Sequence, residues 1–62
     1  MKRRKLIKHL KEHGVIKDHE GANHTVYYNP ANGLDTTVPR HTEIKDELAD
    51  LICKQLGIPK IR

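Results

Sequence analysis

The 62-residue sequence has no serine, no tryptophan and no phenylalanine, a single cysteine, and only two aromatic residues, the adjacent Tyr27 and Tyr28. Without serine there is no serine-hydrolase chemistry, and without a glycine-rich phosphate loop there is no kinase reading. Cys53, alone, forms no intramolecular disulfide, which makes a reducing cytoplasm the expected home. It sits in an apolar-rich final segment, where a small buried or half-buried thiol is the ordinary case. No apolar run is long enough to cross a bilayer, and the basic start from Met1 to Lys5 is not followed by the apolar core of a signal peptide. A soluble chain with no membrane partner is expected. Paired carboxylates occur only in the last segment, where Glu43, Asp46, Glu47 and Asp50 suit a helix dipole and solubility better than glycosidase geometry.

What is present is short and charged. A chain of this length holds one small domain, here taken as residues 1–62, and buries only about 60% of the surface its unfolded form exposes. Its core must come from leucine, isoleucine and valine, and a domain this small without disulfides leans on a partner. The net charge is +4. Residues 1–14 carry Lys2, Arg3, Arg4, Lys5, Lys8 and Lys11 against Glu12 alone, a net +5, while residues 15–42 sum to −1 and residues 43–62 to zero. A one-sided excess of this kind points to a polyanion, either nucleic acid or an acidic protein, against the plainer reading of a solvated helix face.

Hydrophobic spacing divides the chain into five elements. Leu6, Ile7 and Leu10 recur at helical intervals, and Gly14 stands where a helix would stop, which predicts a helix over Arg3 to His13. Val15 to Glu20 is too short for a helix and suits a strand. Asn23 to Asn29, rich in Thr, Val and Tyr, is a second strand. Pro30 to Gly33 is a turn cluster, and Leu34 to Val38, ending at Pro39, is a third strand. Thr42 is the expected N-cap of a final helix with Glu43, Asp46 and Glu47 in its first turn. Ile44, Leu48, Leu51, Ile52 and Leu56 form its apolar stripe, and Gly57 is its stop. The order α-β-β-β-α predicts a two-layer α+β domain, with both helices on one face of a three-stranded antiparallel sheet and the other face wet.

Five histidines, at 9, 13, 19, 24 and 41, raise the question of a metal. His9 and His13 lie four apart, and HLKEH matches the H-x-x-E-H pattern of one class of zinc protease. Such enzymes need a third ligand, a cleft and a longer chain, so the expectation is no metal and no cofactor, with both residues on a solvated basic face. His24 is different. It opens a strand after the small Gly21 and Ala22, and an imidazole both takes and returns protons near neutral pH. Strand alternation sets His24, Val26 and Tyr28 on one face and Asn23, Thr25, Tyr27 and Asn29 on the other. Tyr28 is the tyrosine expected to meet a ligand, and Tyr27 the one expected in the core. A lone exposed histidine is usually inert, so the residues alone leave a catalytic group and a hairpin-closing residue both open.

Four segments then carry a resemblance over nearly the whole chain. They are the basic helix ending at Gly14, the Gly21-Ala22-Asn23-His24 turn, the Val38-Pro39-Arg40-His41 strand exit, and the final helix from Glu43-Ile44-Lys45 to Lys54-Gln55-Leu56-Gly57. Together they resemble the HicA-type toxins, also called YcfA-like mRNA interferases, small proteins with a double-stranded-RNA-binding-domain-like fold. Ala22 stands where that family often has serine, so no role of that hydroxyl carries over. The resemblance implies that His24 is the single catalytic histidine of a ribosome-independent, metal-independent endonuclease acting on mRNA, the toxin of a type II toxin–antitoxin system. It also implies a HicB-type antitoxin as partner, with room for a higher-order complex. Lys2, Arg3, Arg4, Lys5 and Lys8 of the basic segment would bind RNA phosphates, with Tyr28 and Arg40 assisting. His41 is either a second proton-transfer group or a structural neighbour of the Thr42 cap. The alternative is a small RNA-binding module without catalysis.

Overall fold

Leu6 and Leu10 lie about one helical turn apart, and both are completely buried, while the residues between them stay in contact with water. In the computed structural model, which describes residues 1–61, they form the inner face of helix α1 (Arg3–Glu12). Strands β1 (Ile16–Glu20), β2 (His24–Asn29) and β3 (Leu34–Pro39) follow, and helix α2 (Asp46–Leu56) closes the order α-β-β-β-α. The sheet is antiparallel with β2 in the middle. One core joins Leu6 and Leu10 of α1, Tyr27 and Val38 of the sheet, and Ala49, Ile52, Cys53 and Leu56 of α2, so both helices cover the same face. This is the two-layer α+β arrangement expected from the sequence.

The two helices end alike. Gly14 at φ 81° and Gly57 at φ 72° take the left-handed conformation, and the next residue's N–H reaches back into the helix, Val15 to the Leu10 carbonyl and Ile58 to the Cys53 carbonyl, each at 3.0 Å. Position 57 is doubly constrained, because a Cβ there would meet the Asn32 amide nitrogen at 2.5 Å. The β2–β3 turn packs against this helix end. Asn29, almost fully buried, donates to the Leu56 carbonyl at 2.8 Å and accepts from the Ala31 N–H at 3.1 Å. Asn32 donates to the same carbonyl at 3.0 Å. Two asparagine amides thus satisfy a helix-end carbonyl that the helix itself leaves unpaired.

The start of α2 corrects the sequence reading. Thr42 is not its N-cap, and Glu43 is not in its first turn: the helix begins at Asp46 with Lys45 as the capping residue, and no side chain caps it. Residues 42–44 are instead drawn out beside the beginning of the chain. The Arg3 N–H donates to the Thr42 carbonyl and the Ile44 N–H to the Met1 carbonyl, both at 2.8 Å, around a bridge between Lys2 and Glu43. Extended pairing and helical backbone exclude one another, and burial of Ile44 favours the former. The apolar stripe is also shifted from the one expected. Ala49 and Cys53 take core places, whereas Leu51 is 47% exposed. The buried stripe of 49, 52, 53 and 56 follows the three- and four-residue spacing of one helix face, and Leu51 falls beside it.

Candidate active site

The faces of β2 are sharply different. Thr25, Tyr27 and Asn29 are buried, whereas His24 is exposed and Val26 and Tyr28 are half-buried, so His24 lies on the face away from the helices. Tyr27 is in the core and Tyr28 on the open face, as the alternation predicts. Of the two, Tyr28 pairs with Asp35 near the far end of the strand, four residues from His24.

His24 sits at the lip of the β1–β2 turn. The turn is closed by the Gly21 N–H donating to the His24 carbonyl at 2.8 Å. Across the other edge His24 pairs with Pro39, and the next residue, Arg40, donates its N–H to the Asn23 carbonyl at 3.4 Å. The imidazole leans over Gly21: a Cβ built there would lie 3.6 Å from Nε2 and 3.8 Å from Cδ2. Glycine at this position leaves that side of the ring open. Among the described residues no hydrogen bond engages the His24 ring, which leaves both nitrogens available to a substrate.

Two arginines frame this end of the sheet in different ways. Arg40 donates to Glu20 at 2.6 Å in an ion pair across the turn. Arg3, half-buried at the start of α1, donates through Nε to the Pro39 carbonyl at 2.7 Å and through Nη2 to the Thr25 hydroxyl at 3.2 Å. Arg3 therefore fixes the basic helix to the strand that carries His24 and to β3 beside it. Sequence reading assigned Arg3 to phosphate binding and missed this anchoring, because a buried threonine on a strand carries no signal of what reaches it.

The remaining cations spread along α1. Arg4, Lys8 and Lys11 line one shallow hollow with Arg3 and Ile7, and Lys5 and Lys8 line another with His9 and Glu12. Lys2 is paired with Glu43 at 3.0 Å. Arg4, Lys5, Lys8 and Lys11 are exposed and make no salt bridge among the described residues.

The competing sites take structural roles. His9 donates through Nε2 to the Pro59 carbonyl at 2.7 Å, and His13 through Nδ1 to the His9 carbonyl at 3.0 Å. His9 is therefore half-buried and ties α1 to the segment after α2, a correction to the free solvent face expected for it. Among the described residues no group of three or more His, Cys, Asp or Glu gathers as metal ligands would. Burial pushes the Cys53 thiol up, the Asp50 carboxylate adds to the rise, and a backbone hydrogen bond from Ile61 opposes it. A thiol so held is a poor nucleophile. His41 is exposed, and Thr42 beside it is not the helix N-cap, so of the two readings left open for His41 the one tied to that cap has no cap to serve.

Residues 3–58 match the family model described as the HicA toxin of bacterial toxin–antitoxin systems. The chain belongs to the HicA toxin family. The match runs from the Arg3 anchor through the His24 turn to Ile58, just past the Gly57 helix stop, and so takes in every element of the fold. No curated protein and no solved structure matched the chain. HicA membership makes it a toxin of a toxin–antitoxin pair, and no helix among the described residues is long and apolar enough to cross a membrane.

Proposed function

We propose that this HicA-family chain is a ribosome-independent endoribonuclease that cuts mRNA in the cytoplasm, with His24 as its catalytic residue, and that a HicB-type antitoxin neutralises it. The observation that carries the reading is the exposed His24 imidazole, unengaged by any described residue and leaning over a glycine at an open turn.

RNA supplies its own nucleophile in the 2′-hydroxyl. Cleavage then needs a base for that proton, an acid for the departing 5′-oxygen, and positive charge near the phosphorane-like transition state. His24 performs one proton transfer. Arg40 lies at the same turn, and Arg4, Lys5 and Lys8, with Lys2 and Arg3 at the head of the helix, supply the field that draws in a polyanion; Tyr28 offers a ring on the same sheet face for a base to stack on. None of these steps calls for a metal ion. The exposed basic helix also suits an acidic partner, and binding one would stabilise a domain this small.

The test is cleavage of an mRNA fragment by the purified chain in EDTA, free of ribosomes. His24→Ala is expected to lose about 10²- to 10⁴-fold in rate while keeping its circular dichroism spectrum. Equal rates for the two chains would remove His24 from the mechanism. RNA binding without cleavage by either would instead favour a non-catalytic binding module.

A further inference from the structure

A bulge in β1 brings a second histidine to the face that carries His24. Ile16 and Lys17 pair with Tyr28 and Tyr27, but the register then slips by one, so that His19 pairs with Val26 and Glu20 with Thr25. Without the slip His19 would oppose Thr25 and belong to the helix-covered face. Directly opposed residues of antiparallel strands share a face, so the slip puts His19 with Val26 and His24 on the open side.

Gly21 lies opposite His24, closing the turn through its N–H, and His19 is two residues before Gly21. The two histidines are therefore diagonal neighbours, with Cα atoms about 7–8 Å apart. The next residue on that face, just past the end of β1, is the glycine over which the His24 ring leans. Side chains rising from one face of the sheet stay on the same side, so one phosphodiester lying across that face meets both imidazoles.

His19 also has a partner that a regular strand would deny it. Its Nδ1–H donates to the Asp18 carboxylate at 3.3 Å, although neighbours in a strand ordinarily point to opposite faces. The bulge places both side chains on one side. Both are largely exposed, His19 at 67% and Asp18 at 57%, so the pair contributes little to the core. The nearby charges are committed elsewhere: Lys17 pairs with Glu20 at 3.9 Å, and Glu20 accepts from Arg40. With Nδ1 held by the carboxylate, Nε2 is the nitrogen left to meet substrate, as in other Asp–His arrangements.

We propose that His19 is the second catalytic residue of this chain, the general acid that complements His24, with Asp18 as its positioning residue; this rests on the endonuclease reading above. His24 takes the proton of the 2′-hydroxyl, the 2′-oxygen bonds to phosphorus, and the bond from phosphorus to the 5′-oxygen breaks. His19 gives its Nε2 proton to that departing oxygen. The products are a 2′,3′-cyclic phosphate and a 5′-hydroxyl, with one proton moved from one oxygen to the other and no other reactant consumed. The Asp18 carboxylate, accepting from Nδ1–H, holds the ring with Nε2 turned to the substrate.

The experiment compares an ordinary RNA with one whose scissile 5′-oxygen is replaced by sulfur, a leaving group that departs without a proton. His19→Ala is expected to cut ordinary RNA about 10²- to 10⁴-fold more slowly than wild type and to recover to within about ten-fold on the sulfur substrate. His24→Ala, lacking the base, is expected to stay slow on both. Asp18→Asn should lose less than His19→Ala on ordinary RNA and nothing on the sulfur substrate. Unchanged cleavage of ordinary RNA by His19→Ala, or an equal loss on both substrates, overturns the proposal while leaving the endonuclease reading intact. Failure of the wild-type chain to cut either RNA overturns both. Matching urea-unfolding midpoints for wild type and variants separate lost chemistry from lost fold.

Discussion

The guanidinium of Arg3 donates to the hydroxyl of Thr25 at 3.2 Å, joining the first turn of α1 to the strand that begins with His24. The same side chain donates to the carbonyl of Pro39, which pairs with His24 from the other side. One arginine thus sets where the basic helix lies relative to the candidate catalytic group. Arg3→Ala leaves the buried Thr25 hydroxyl and a strand-end carbonyl without their partner, and hydrogen bonds from a charged donor contribute about 1.5–3 kcal/mol. The expected outcome is a loss of about 2–3 kcal/mol in urea unfolding, with Arg3→Lys recovering only part, because a single ammonium does not reproduce the planar fork.

Gly21 is expected to control access to His24 rather than stability. A methyl group there would stand 3.3 Å from the His24 carbonyl oxygen, a tight but tolerable contact, and 3.6 Å from Nε2. Gly21→Val adds bulk over the same nitrogen. Cleavage of a short RNA should fall modestly for Gly21→Ala and about 10- to 100-fold for Gly21→Val, with the loss in kcat/KM exceeding any change in unfolding midpoint. Full activity of the valine variant would show that substrate approaches the ring from another side.

The exposed cations of α1 should act through charge and not through shape. Replacing Arg4, Lys5 and Lys8 together by alanine keeps the buried Leu6 and Leu10 and the Arg3 anchor in place. Affinity for single-stranded RNA should drop, and the slope of log affinity against log salt should shrink by roughly 0.7 for each cation that had been touching a phosphate. Fluorescence anisotropy at several salt concentrations measures both. An unchanged slope would take this face of α1 out of RNA binding.

Cys53 gives a pH dependence with a defined sign. Burial raises the thiol in the folded state, so above the ordinary thiol range the unfolded chain loses a proton that the folded chain keeps. Folding then binds more protons than unfolding, and stability falls as pH rises from the unfolded value towards the raised folded one; below the unfolded value this contribution is fully present. Urea midpoints across the alkaline range should decline for the wild-type chain and decline less for Cys53→Ala, which also starts from a lower midpoint because it leaves a small void. Alkylation of Cys53 in native protein should be slow at neutral pH.

The elements of this chain were legible because their causes are local. Leu6 and Leu10 at helical spacing, the glycines at 14 and 57, and the alternation through Thr25, Tyr27 and Asn29 each act within a few residues, and the structure follows them. The start of α2 was not legible in the same way. Thr42 followed by acidic residues is a helix start by local rules, but pairing of residues 42–44 with residues 1–3, some forty positions away, draws that segment out. The exposure of Leu51 likewise depends on which helix face the sheet meets.

For the candidate site the division is similar. The sequence by itself determined that His24 begins a strand, that Gly21 stands close before it, and that positive charge gathers in the first fourteen residues, since all three are properties of neighbours along the chain. Only the tertiary structure decided that Arg3 is an anchor, that the open face is the one bearing His24, and that a one-residue slip at Asp18 turns His19 towards it. Pairing register is fixed between strands, and no spacing within one strand encodes it.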